Sequence, residues 1–169
     1  MQSKHAFLTM MRQNAELLRK RDEENPVDWG ARRTWWVGKV EKLYDEASQW
    51  LSPLLMAGEI AFEFEQLELA EEYVGKYTAR KLTIASGLRK FSMTPVATVI
   101  VGGSGLIDVD GPKGRAKLVL ATPDEAPAES YLETAVWHVT APNHQIALKR
   151  LTEEEFLILF AELMGFTEN

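Results

Sequence analysis

The hydrophobic repeat of this chain changes period twice, and few folds accommodate that. Apolar residues recur every three or four positions up to about residue 57, alternate from Glu59 to about Val139, and return to the longer spacing after Thr152. A period of 3.6 lines one stripe of a helix, whereas a period of two lines one face of a strand. Helices at both ends with strands between them bury those faces together as an α+β domain, with helices packed on an antiparallel sheet. The zones are a helical hairpin over 1–57, a sheet of about five to seven strands over 59–140 and a C-terminal helix over 152–164. With 169 residues, the chain is sized for one domain and buries enough surface to need no metal or disulfide.

Within the first zone, Phe7, Met10, Met11, Leu17 and Leu18 share one broad helical face, and Asn25–Pro26 signals a turn. Asp28 is placed to cap the second helix. There Trp36, Val40, Leu43, Ala47, Trp50 and Leu54 follow one another at steps of four and three, with Trp29 seven residues before Trp36. That is the spacing of a seam that packs on another element. Gly38 suggests a close backbone approach, and Pro53 should bend or weaken the last turn.

Strand signals follow. Ile60, Phe62 and Phe64 alternate with mainly acidic neighbours, but from Leu67 and Leu69 the parity flips, so 66–73 reads either as a bulged strand or as a short helix. Leu82 and Ile84 mark another strand, and Val96 to Val101 is a β-rich run. Leu106–Asp110, Gly111–Pro112–Lys113–Gly114 and Arg115–Leu120 spell a hairpin. Pro123–Ser130 reads as an exposed loop, and Thr134–Thr140 as a last strand ending at Pro142–Asn143. Thr152 and Glu155 form a capping box flanked by Leu151 and Phe156. Phe156, Leu159, Phe160 and Leu163 make one apolar face, and Gly165 is the stop.

Composition narrows the chemistry. There is no cysteine, which excludes disulfides, thiolate nucleophiles and cysteine–zinc sites. The net charge of −6 suits a polyanion poorly except through a local basic patch. Met1–Met11 lacks the apolar run and cleavage site of a secretory leader, and no stretch approaches a membrane span, so the cytoplasm is the expected compartment and no membrane is expected.

Few residues invite catalytic roles. Gly102–Gly103–Ser104–Gly105 lacks both the lysine of a phosphate loop and a following helix, so it reads as a strand connection. Asp108, Asp110 and Gly111 resemble the start of a calcium loop but lead into Lys113 and Arg115, and read better as solvent-facing acids. His138, with Ser104 and Asp108, is conceivable as a base, nucleophile and orienting acid; a histidine exposed on a sheet surface is the alternative. His144 has no evident partner, and no zinc spacing or cofactor motif is present.

Charge and tryptophan carry more. Six acids from Glu59 to Glu72 are followed by five bases, Lys76, Arg80, Lys81, Arg89 and Lys90. These compensate each other across a hairpin, or the bases form a strip for phosphate backbones or acidic protein. Trp29, Trp36 and Trp50, with Arg33 at the rim, are either core or partner-binding anchors. The reading is a non-catalytic cytoplasmic interaction module that binds a protein or itself: an adaptor, an inhibitor or a subunit. A ligand-binding or enzymatic site near Ser104, Asp108 and His138 is the first alternative, and nucleic-acid binding through 76–90 is the second.

Overall fold

A computed structural model describes residues 4–24, 27–122, 132–140 and 149–166. The Asn25–Pro26 turn, the Pro123–Ser130 loop, the Pro142–Asn143 stop and His144 lie outside the described residues. Helices α1 (Lys4–Glu24), α2 (Trp29–Trp50) and the short α3 (Ser52–Met56) come first. Strands β1 (Ala61–Glu71), β2 (Gly75–Ser86), β3 (Arg89–Ala97), β4 (Gly105–Gly111), β5 (Gly114–Ala121), β6 (Val136–Thr140) and β7 (Lys149–Arg150) follow, and α4 (Glu153–Met164) closes the order. The seven strands form one antiparallel sheet in sequence order, each paired with the next. The α+β architecture read from the changing period is therefore the architecture of the protein.

Helices α2 and α4 cover one face of the sheet. Trp36, Val40, Leu43, Tyr44 and Ala47 of α2 and Phe156, Phe160 and Leu163 of α4 meet Leu82, Ile84, Phe91, Met93, Ile107, Val109, Leu118 and Leu120 in a single core. The local signals that start and stop these helices act as their chemistry requires. The Asp28 carboxylate accepts the Ala31 amide at 2.9 Å, and the Thr152 hydroxyl accepts the Glu155 amide at 3.2 Å. Gly165 takes the left-handed conformation with φ of 76° at the end of α4. Pro53 sits in the first turn of α3, where its missing amide costs nothing, so the chain bends between α2 and α3.

Four readings change. The segment 66–73 is neither bulged nor helical up to Glu71, because β1 pairs with β2 without a break from Ala61↔Ala85 to Glu71↔Gly75. The parity flip is instead the signature of a twisted ribbon. Leu82 and Ile84 are buried at its base, and on the opposite parity Ala79 is buried nearer its tip. Two-stranded ribbons twist strongly enough to turn a different face inward along their length. Val96–Val101 is not a strand: β3 begins at Arg89 and ends at Ala97, after a register shift between Pro95 and Ala97. Beyond it, the amides of Thr98 and Val99 are taken by the Glu71 carboxylate rather than by a ladder. Gly38 has no close neighbour, since a methyl group there meets nothing within 4 Å. The glycine that allows a close approach to α2 is Gly105, because a Cβ there would stand 2.2 Å from the Trp36 ring. Finally, the helical hairpin over 1–57 does not close, because every described side chain of α1 is exposed. Helix α2 spends its apolar stripe on the sheet instead.

Candidate functional site

Ser104, Asp108 and His138 are not brought together. Ser104 is 3% exposed in the loop before β4, where its carbonyl accepts the Thr98 hydroxyl at 2.8 Å and its amide reaches the Leu120 carbonyl at 2.8 Å. Asp108 faces the helix-free side of the sheet and pairs with Lys117, directly across in β5, at 3.1 Å. His138 stands in β6, with β5 between it and the Asp108 strand. Two strand spacings amount to roughly 10 Å, beyond hydrogen-bond reach. Its Nδ1 lies 2.9 Å from the Val136 carbonyl, an acceptor, so that nitrogen carries the proton. The carboxylate that would orient the histidine is thus held by a lysine, and no catalytic triad forms from these residues. Asp110 is likewise held by Arg115 at 3.0 Å, which settles the resemblance to a calcium loop in favour of solvent-facing acids.

The five bases do not form one strip. Arg80 points to the helices, forms a bidentate pair with Glu41 of α2 and lies 3.9 Å over the Phe64 ring. Hydrogen bonding to Glu41 raises its pKa further above the ordinary guanidinium value. Arg89 donates to the Met164 carbonyl at 2.8 Å and stacks over Phe166. It thereby satisfies the electronegative end of α4. Lys81 and Lys90 occupy the other sheet face, Lys81 directly opposite Glu65, and Lys76 stands exposed near the ribbon tip. Of the five, only Arg80 forms a salt bridge among the described residues, and its partner Glu41 lies in α2 rather than in the acidic run.

The tryptophans divide. Trp36 is 0% exposed, lies over Gly105 and donates its indole N–H to the Tyr77 hydroxyl at 3.1 Å, which removes it from any surface anchor. Arg33 donates to the Val74 carbonyl and so ties α2 to the turn between β1 and β2 instead of rimming an interface. Trp29 and Trp50 are half-buried and retain exposed surface.

A polar cluster around Glu71 is absent from the sequence reading. The carboxylate accepts the Thr98 amide at 3.1 Å, the Val99 amide at 3.1 Å and the Tyr77 hydroxyl. Arg32 of α2 reaches both the hydroxyl and the carbonyl of Thr98 at 2.9 Å. Burial, and then the bond to Glu71, push the Tyr77 pKa well above its usual value, so Tyr77 acts here as a neutral donor. The cluster fastens the ribbon tip and the 98–104 loop to the start of α2. Its one sequence signal is that Glu71 shares the parity of Leu67 and Leu69, the inward set after the flip.

Among the described residues, α1 gathers several exposed large apolar side chains on one helix. Phe7, Leu8, Met10, Met11 and Leu17 are between 49 and 66% exposed. No helix among the described residues is long and apolar enough to cross a membrane. The chain matches no family model, no curated protein and no solved structure.

Proposed function

We propose that this protein is a non-catalytic interaction module that docks onto a protein partner through α1. The supporting observation is the solvent-exposed apolar face of that helix, on which Phe7, Met10, Met11 and Leu17 lie at spacings of three, one and six residues. A face of this kind is the helical half of helix-in-groove recognition, and methionine adapts readily to an irregular groove. Charge selects the partner. Residues 4–20 hold Lys4, Arg12, Arg19 and Lys20 against Glu16, a local charge of +3 in a chain of net −6, before Arg21, Asp22, Glu23 and Glu24 bring the whole of α1 to +1. The matching groove is apolar with an acidic rim. Steering by unlike charge would then speed docking at low ionic strength.

The test is site-specific photocrosslinking in the full chain, in cells of its own source, from position 10 and from position 9 on the opposite helix face. The reading expects one protein adduct from position 10, absent from position 9 and lost when Phe7→Glu and Met11→Glu are combined. Equal labelling from both positions, or adducts indifferent to the double change, would overturn it. So would equally strong binding of the whole protein to phosphatidylserine vesicles, since a basic amphipathic helix also suits an anionic membrane surface.

A further inference from the structure

Between α2 and the β6–β7 end of the sheet lies a cleft of about 260 Å³. Its walls carry Lys39, Lys42, Glu46 and Trp50 from α2, Trp137 from β6 and Arg150 from β7, over a floor of leucine and alanine side chains. Steps of three, four and four residues set the α2 members along one flank of the helix. Three cations therefore share the cleft with one carboxylate. Among the described residues none of the three salt bridges involves Lys39, Lys42 or Arg150, and the Lys39 ammonium lies 5.9 Å from the Trp35 ring. Three positive charges against the single Glu46 carboxylate leave the cleft net positive, and an anion placed among them relieves the remaining repulsion.

The aromatic walls are set in advance. The Trp137 ring lies 6.0 Å from that of Trp36, and the Trp50 ring 5.3 Å from that of Phe156. Both supporting rings are 0% exposed, so the core holds the two indoles in place and little ordering is lost when a flat group settles against them. The space falls just short of the roughly 300–1,000 Å³ typical of sites for drug-sized ligands, which limits the occupant to about one ring and its charged group.

We infer that this cleft binds a small organic anion built on one flat ring, with the anionic group among Lys39, Lys42 and Arg150 and the ring against Trp50 and Trp137. The site is independent of α1 and stands or falls separately from docking through that helix. Phenyl phosphate is a direct probe. In ¹H–¹⁵N spectra of the intact protein, it should shift the indole N–H signals of Trp50 and Trp137 saturably. It should bind at least about fivefold more tightly than inorganic phosphate or benzyl alcohol, because each of those lacks one half of the recognition. Lys42→Gln combined with Arg150→Gln, both at exposed positions, should weaken binding about tenfold while leaving the rest of the spectrum in place. Three outcomes would overturn the inference: no saturation by about 10 mM, a dissociation constant too weak for a specific small-ligand site; equal shifts from benzylamine, the cationic counterpart; or an affinity unchanged by the double variant.

Discussion

Helices α1 and α2 are of nearly equal length, 21 and 22 residues, and each carries an apolar stripe, yet only α2 is built into the domain. The stripe of α2 holds two indoles, and its inner positions meet the sheet's inward face, with Trp36, Val40 and Ala47 fully enclosed. The stripe of α1 meets solvent. Amphipathicity specifies that a helix face be covered, but not by what. The sheet offers its helices one apolar face, and α2 and α4 occupy it.

The contrast is most sharply broken at its two extremes. Trp36→Ala should cost about 3–5 kcal/mol in chemical denaturation, the usual loss for a buried aromatic ring. A loss under 1 kcal/mol would mean that α2 is not the core helix. Gly105→Ala tests the same contact from the sheet side. The added methyl group would press on a ring with no room to move, so a loss of about 1–3 kcal/mol is expected, read as a lower denaturation midpoint with unchanged slope.

A pH experiment probes the α2–sheet junction. Burial, followed by the nearby Glu41 carboxylate, raises the Tyr44 pKa well above the ordinary value, and its hydroxyl donates to the Arg80 carbonyl at 2.7 Å. The unfolded chain therefore releases this proton first as pH rises. The stabilisation is complete below about pH 10 and declines above it, by up to about 1.4 kcal/mol per pH unit. Tyr44→Phe should flatten the alkaline decline; an unchanged curve would assign it to other groups.

Smaller effects separate the two helices at their solvent sides. Gly38→Ala should stabilise the protein by about 1 kcal/mol, because the position is an exposed helix interior with open space for a methyl group. Destabilisation there would reveal a packing role. Last, Phe7→Ala together with Met11→Ala in α1 should change stability by less than about 0.5 kcal/mol, as expected for exposed side chains. A loss comparable to that of Trp36→Ala would place α1 in the core and remove the basis for docking through it.

What was legible in the chain was whatever depends on near neighbours. The caps at Asp28, Thr152 and Gly165, the bend at Pro53 and the hairpin across Pro112–Lys113 are all set by contacts within a few residues. Candidate sites were less legible, since they depend on which side chains meet across strands. Asp108 and His138 are both plausible in isolation, but β5 stands between them and Lys117 claims the acid. Glu71 looked like one more member of an acidic run. Its role as acceptor for the 98–99 amides depends on a twist in the ribbon that local spacing records only as a change of parity.

By itself, then, the sequence determined the order of the helical and strand zones and the caps and turns within them, though not the bounds of β3 or the strand character of 66–71: period, caps and turn residues act over a few positions and need no distant partner. Tertiary structure alone decided that α2 rather than α1 packs on the sheet, that Trp36 is core, that the five bases divide between two faces, and that Lys39, Lys42 and Arg150 gather around two indoles. Those outcomes follow from competition for one limited apolar face and from long-range strand pairing, neither of which leaves a local mark in the order of residues.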